Sequence, residues 1–380
     1  MRSPASCASI FVLAILGSSN PASAHDAPLD GIDSAVQAAI GRNELPGAVV
    51  LVLHKDEVIF RKAFGHRALV PIKTLMTVTT VFDLASLTKP IVTATAIMLL
   101  IEEGKLNVKD KLAQHLPAFR RKETEDITLE HLLLHTSGFI ADNALADYKD
   151  GRAKARERLL ALNPVAAPGT KFTYSDVGYL LLGEVVEKVS GMALDDFARQ
   201  RLFRPLGMKE TGYRPQGNLQ ERAAPTEKRA GQWIQGEVHD PRAHWLGGGA
   251  GHAGLFSTAD DLAVYSRMLL NQGKHQGRVF LKESTVQLMT APRQVPGKKE
   301  PGLRTYGWDM LTSFSSNRGE AFPKGVSFGH TGFTGTSIWL DPQSRTAVIF
   351  LSNRVHPDGK GNVTKLRGQV ATIAAQALLK

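Results

Sequence analysis

Residues 81–106 read VFDLASLTKPIVTATAIMLLIEEGKL. Within them Ile91, Ala94, Met98 and Ile101 recur at helical spacing and Gly104 ends the run, which predicts a helix beginning at Ser86. Pro90 then falls in the first turn, where its missing N–H is best tolerated. Ser86 and Lys89, three residues apart, share one face of that helix. A serine hydroxyl needs a neighbouring base to act as a nucleophile at neutral pH. A lysine serves as that base only when burial or nearby positive charge lowers its pKa. A helix N-terminus supplies part of that field, and its free N–H groups can stabilise an oxyanion. The same four residues also fit an ordinary helix start with a capping serine, so S-x-x-K needs support from the rest of the chain.

The 380 residues are 43% hydrophobic and 22% charged, the balance of a soluble globular protein, and the length suits one catalytic unit of two lobes or two modest domains. The net charge is +10 and the pI near 9.6. Basic residues cluster only at Arg120–Lys122 and Lys298–Lys299, without interleaved aromatics, and no nucleic-acid motif is present. At the N-terminus, Arg2, the apolar run Ile10–Leu16 and Ala22-Ser23-Ala24 predict a secretory signal over residues 1–24, cleaved before His25. The one cysteine, Cys7, leaves with that signal, so the mature chain is expected to have no disulfide and no thiol chemistry. No later segment is expected to span a membrane. The chain is read as exported and soluble, in a periplasm or outside the cell.

Residues 47–65 read as two strands joined by a turn over His54–Glu57. ITLEHLLLHTSG, residues 127–138, reads as a short helix on Leu129, Leu132 and Leu133. His131 and His135 lie four apart there, but no glutamate stands between them and core packing is the better reading. Asp142–Leu160 is charged and helical in pattern. Ala167-Pro168-Gly169-Thr170 turns into Lys171-Phe172-Thr173-Tyr174-Ser175-Asp176, and a helix over Val177–Val189 ends at Ser190-Gly191, with Asp176 as its cap.

Residues 215–250 read as a long functional loop, since Trp233 and Trp245 are costly in a disordered linker. His239, Asp240, His244 and His252 lie close together in and just after it. That grouping invites a zinc site, but hydrogen-bonding residues along a substrate cleft fit better, so no metal and no cofactor is expected. Asp260–Leu270 reads as a helix. Strands are expected before His330-Thr331-Gly332, over Thr336–Leu340 and over Thr346–Ser352, then a last helix over Lys365–Leu379.

Taken in order, Ser86-x-x-Lys89, Tyr174-x-Asp176 and His330-Thr331-Gly332 resemble the three motifs of the serine penicillin-recognising hydrolases. The resemblance is to the group of class C β-lactamases, D-alanyl-D-alanine carboxypeptidases and related esterases. The flanks LLLHTSGF, APGTKFTYSDVGYLLLGEVVEKVSG and GHTGFTGTSIWLDP extend it over the chain from about residue 30. VHDPRAHWLGGGAGHAGLFSTADDL is similar to a subgroup of exported enzymes linked to peptidoglycan processing.

This resemblance implies an α/β (α+β) fold: an antiparallel sheet flanked by terminal helices, with a mostly helical lobe inserted. The sheet lobe would cover about residues 30–85 and 255–380, the helical lobe about 86–254. It implies Ser86 as nucleophile, Lys89 and Tyr174 as shared acid and base, and the N–H groups of Ser86 and Phe333 as oxyanion hole. Asp176, His330, Thr331 and Gly332 would line the substrate, with His239, Asp240 and His252 beside them.

Two positions depart from the family pattern. Asp176 stands where asparagine is common; an ionised carboxylate donates no hydrogen bond, and it would instead fix Lys89 or accept from a substrate N–H. His330 stands where lysine is common, and neutral imidazole holds a carboxylate less firmly than an ammonium does. The expected function is therefore an exported serine hydrolase cleaving a peptidoglycan-derived amide, of carboxypeptidase or muramoyl-peptide amidase type. An esterase or weak β-lactamase, or a penicillin-binding sensor that acylates without turnover, are the alternatives. The expected partner is a small-molecule or muropeptide substrate, with no nucleic acid and no stable membrane insertion.

Overall fold

In the computed structural model of the protein, the described residues are residue 1, residues 29–297 and residues 300–379. The expected signal segment beyond residue 1, with Cys7, and the Lys298–Lys299 pair lie outside them. The strands that position the site are, in chain order, β1 (Gly47–His54), β2 (Glu57–Ala68), β3 (Thr74–Leu75), β4 (Phe82–Asp83), β5 (Gly212–Tyr213) and β6 (Leu255–Ser257). They continue as β7 (Arg293–Val295), β8 (Gly302–Arg304), β9 (Asp309–Leu311), β10 (Phe328–Thr331), β11 (Ser337–Asp341) and β12 (Thr346–Ser352). The corresponding helices are α1 (Asp30–Gly41), α2 (Thr95–Glu102), α3 (Leu129–Leu133), α4 (Asp176–Ser190), α5 (Pro241–Trp245), α6 (Ala259–Leu270) and α7 (Thr364–Leu378).

β1 and β2 form the expected hairpin. Lys55 and Asp56 take positive φ, 47° and 74°, the handedness that suits the twist of two strands joined by a tight turn. Among the described residues nine strands form one antiparallel sheet in the order β7-β8-β9-β10-β11-β12-β1-β2-β3, so the two ends of the chain meet at β12 and β1. Alternation along β1 fills both faces. Ala48, Val50 and Val52 pack into the core that includes α1 and α7, while Val49, Leu51 and Leu53 pack into the larger core shared with α2, α4 and α6. This is the α/β architecture expected, with terminal helices on one face of an antiparallel sheet. β4, β6 and β5 make a second, small sheet at the seam.

Several element boundaries depart from the sequence pattern. The run after Ser86 is a single 3₁₀ turn, Ala85–Leu87, then a π-helical segment, Lys89–Ala94, and only then α2. On length and composition Ala85–Glu102 does pass as a membrane span, contrary to expectation, but 83% of it is buried within the fold and it serves as the core helix. The charged 142–160 segment is not one helix: a 3₁₀ turn at Leu145–Tyr148 precedes a helix at Arg152–Leu160, with Gly151 at φ 87° between them. Ser175, not Asp176, caps α4, its hydroxyl accepting from Gly178 N–H; Asp176 becomes the first helical residue. Gly191 ends α4 in the left-handed region.

Candidate active site

The Ser86 turn sits at the seam between the large sheet and the helices. Ala85 takes φ 45°, uncommon for a residue with a side chain, and its N–H donates to Asp83 Oδ1 at 2.8 Å. The Ser86 side chain that follows opens into a cavity of about 170 Å³ lined by Ser86, Tyr174, Asp309, Phe314, His330, Thr331 and Phe333. One turn on, the fully buried Lys89 points back to it. Its Nζ donates to Ser86 Oγ at 3.0 Å and to the His252 carbonyl at 3.0 Å, and pairs with Asp176 Oδ1 at 2.6 Å. Two of the ammonium's donors thus have aligned acceptors, and Asp176 adds a close ion pair.

Tyr174 comes from the turn before α4. Its ring lies under the Lys89 ammonium, 5.0 Å from the centroid, and stacks on His135 with centroids 4.5 Å apart. Its hydroxyl faces Ser86 and Lys89, but is buried without a well-aligned hydrogen bond in this state. The first helical position of α4 carries the Asp176 carboxylate to the far side of Lys89.

Electrostatics set the resting protonation. Burial disfavours the Lys89 ammonium, yet the Asp176 carboxylate outweighs it and holds Lys89 well above its ordinary value. Burial likewise raises Tyr174, against the opposing pull of Lys89. The lowered lysine pKa that S-x-x-K chemistry calls for is therefore not found in the resting site, because Asp176 supplies a counter-charge that the motif spacing does not reveal.

β10 forms the opposite wall. His330 Nδ1 must donate to the Thr331 carbonyl, 2.8 Å away, since that oxygen can only accept. Burial, then Arg304 and Lys89, hold His330 well below the usual imidazole range, so it is neutral with its other nitrogen a lone pair. Gly332 is required for space: a Cβ there would lie 2.2 Å from Thr336 Oγ1 and 2.3 Å from the Leu84 carbonyl. The Gly332 carbonyl accepts from Arg367 at 2.8 Å. Phe333, at the mouth, is 60% exposed.

The three loop histidines do not converge on one ion. Each turns to a different carboxylate: His239 to Glu227 at 2.6 Å, His244 to Glu237 at 2.7 Å, and His252 to Asp240 at 2.9 Å. Donor atoms of Asp176, Asp240 and His252 do lie within 4.8 Å of one another, and the cation bound beside them is Lys89 itself. His252 is fully buried, so it stands behind Lys89 rather than along the cleft where sequence reasoning put it. Asp240 caps α5 through Ala243 N–H; burial works against its charge, but His252 and that N–H hold it well below the usual carboxylate range. The His239 ring reaches the site by stacking on Phe333 at 5.6 Å, and its backbone N–H donates to Asp83 Oδ2. His131 and His135 are no pair either: His131 Nδ1 accepts from Thr128 N–H and His135 Nδ1 from Ser175 N–H.

Asp83, Asp309, Phe314 and Arg354 come to the site without any expectation from sequence. Only Asp83 had a readable signal, as a carboxylate three residues before the serine.

The model of the family described as Beta-lactamase matches residues 32–372. The chain belongs to the beta-lactamase family. It is 32% identical over 365 residues to the N-acetylmuramyl-L-alanine amidase of Bacillus subtilis (strain 168), covering 86% of this chain and 80% of that one. It is also 32% identical to an Escherichia coli (strain K12) protein named "Putative D-alanyl-D-alanine carboxypeptidase", covering 82% of this chain and 79% of that one. Among solved structures, EstCE1, a hydrolase with promiscuous acyltransferase activity, superposes with a TM-score of 0.73 at 26% identity, over 92% of this chain and 99% of that one. A class C beta-lactamase gives a TM-score of 0.75 at 20% identity, over 93% and 97%, a likeness of fold. The chain is thus a beta-lactamase-fold serine hydrolase.

Proposed function

We propose that this beta-lactamase-family hydrolase is exported and cleaves a peptidoglycan-derived amide through an acyl-enzyme on Ser86. The observation that carries the chemistry is the contact of Ser86 Oγ with the buried Lys89, itself stacked over Tyr174. Resting Lys89 and Tyr174 both hold their protons, so one proton passes from this pair to solvent water before attack. The freed base takes the Ser86 proton as Oγ bonds to the carbonyl carbon. The N–H groups of Ser86 and Phe333 receive the oxyanion. Tyr174 or Lys89 returns the proton to the leaving nitrogen as the C–N bond breaks, and water then repeats the sequence on the ester, releasing the acid and restoring Ser86.

The cavity lining favours the muramoyl-peptide amidase type. Among the described residues its lining includes no lysine or arginine, and His330 is neutral, so none of them offers a cation to the terminal carboxylate of a D-Ala-D-Ala substrate. The similarity to a named N-acetylmuramyl-L-alanine amidase supports the same choice. An esterase is the second reading, supported by the likeness to EstCE1.

Mass spectrometry of defined muropeptides, with the chain and its Ser86→Ala variant, tests this. Peptide freed from muramic acid by the chain alone is the expected product. Free D-alanine instead would make it a carboxypeptidase, and ester turnover without muropeptide cleavage would leave the esterase. Export is tested by N-terminal sequencing of protein recovered from outside the cytoplasm, with His25 as the expected first residue.

A further inference from the structure

Asp83 is almost wholly buried at the end of β4, three residues before the nucleophile, and its carboxylate accepts from backbone N–H groups. It joins three segments that are distant in sequence. Oδ1 accepts the Ala85 N–H at 2.8 Å, Oδ2 accepts the His239 N–H at 2.7 Å, and the Asp83 main-chain carbonyl accepts the Thr334 hydroxyl at 2.7 Å. Each of these partners stands next to a group of the site. Ala85 precedes Ser86 and is in the left-handed region, a conformation that alanine rarely adopts and that needs a restraint. Thr334 follows Phe333. The His239 ring stacks on the Phe333 ring, nearly parallel at 22°, and Glu227 holds that imidazole by its other end. Arg354 also engages the Phe333 ring, its guanidinium 4.4 Å from the centroid, and donates from Nε to the Phe333 carbonyl at 2.8 Å. Phe333 is therefore gripped although it is exposed.

We propose that Asp83 is a positioning residue that locks the two oxyanion donors, the N–H groups of Ser86 and Phe333, into one frame. One carboxylate oxygen sets the Ser86 turn, and the other sets the backbone of the histidine that clamps Phe333. The oxyanion N–H groups act only where the developing charge will sit, so shifts of a few tenths of an ångström between the two halves reach the transition state before they reach substrate affinity. The assignment rests on the Ser86 hydrolase reading.

The test uses the full chain and p-nitrophenyl acetate, with a fluorophosphonate as a second probe of Ser86. Asp83→Asn keeps the size of the side chain but turns an N–H donor towards a backbone N–H. It is expected to lower kcat about 10- to 100-fold, less than the loss of an oxyanion donor outright, with KM within about twofold. It should slow fluorophosphonate labelling in parallel. His239→Ala should lower kcat in the same manner and His239→Phe, which keeps a stacking ring, should recover most of that loss. The histidine pair keeps the proposal open to failure if Asp83→Asn does not fold. A lowered melting temperature with unchanged kcat in Asp83→Asn, or His239→Ala equal to wild type, would overturn the positioning role alone. A wild-type chain that neither turns over the ester nor labels at Ser86 overturns the hydrolase reading, and this proposal with it.

Discussion

The Lys89 ammonium stands 2.6 Å from the Asp176 carboxylate, with the lysine fully buried and the aspartate side chain 19% exposed. Helix α4 makes this pair by beginning one residue earlier than its sequence pattern suggests. The pair keeps Lys89 protonated and bonded to Ser86 at rest, and under the proposed mechanism Asp176 would control when the base becomes available.

Asp176→Asn tests that control. Removing the carboxylate removes the largest of the influences that hold the Lys89 pKa up, and burial then weighs more heavily against the ammonium. Because the base works in its deprotonated form, the acid limb of the pH–kcat profile should move to lower pH, by a unit or more on the order of a charge-pair shift. An acid limb at the wild-type position would show that Lys89 is not the group Asp176 governs.

Lys89→Met removes the cation but leaves carboxylates around it. Activity should fall by about 10²- to 10⁴-fold, the usual worth of a general base. Stability in urea should drop by about 3 kcal/mol, because Asp176 and Asp240 lose a buried partner. Adding Asp176→Asn should recover part of the stability and none of the activity. Additive losses in the double variant would mean that the pair is not coupled.

Gly251→Ala probes how closely the loop behind Lys89 approaches α4. A Cβ there would lie 2.0 Å from the Tyr179 carbonyl oxygen, a backbone atom that cannot step aside. The loop must move, and it carries the His252 carbonyl on which Lys89 rests. Differential scanning calorimetry should show a loss of about 1–3 kcal/mol or more, accompanied by reduced kcat. A variant as stable and active as wild type would refute the tight approach.

His135 and His330 predict acid sensitivity. Both are buried and held well below the usual imidazole range, so in the fold they stay neutral while the unfolded chain takes up protons. Stability from this source is complete above the unfolded value near pH 6.5. It falls as pH drops below that, by up to about 1.4 kcal/mol per pH unit for each histidine. Urea titrations at pH 7.5, 6.5 and 5.5 should show the fall, and His330→Gln should reduce its slope. A flat profile would contradict the neutral buried assignment.

Sequence by itself determined what local chemistry can determine. The hairpin of β1 and β2 follows from alternating apolar residues around a polar turn, α6 and α7 from helical spacing, and the three motifs from their residue types and order. Those motifs named Ser86, Lys89, Tyr174 and His330, all of which the structure brings to one seam. Tertiary structure decided the rest, because each remaining feature depends on partners far apart in the chain. Strands β7 to β9 are three residues each, too short for a periodic signal, and exist through pairing with one another and with β10. The π-helical stretch at Lys89–Ala94 is invisible to a pattern that reads 3.6 residues per turn. His252 and Asp240 look like cleft residues in a glycine-rich loop, and only packing against α4 shows that they back Lys89. The protonation of Lys89 was not legible either, since it is set by the balance between burial and a carboxylate 87 positions away, which spacing along the chain does not encode.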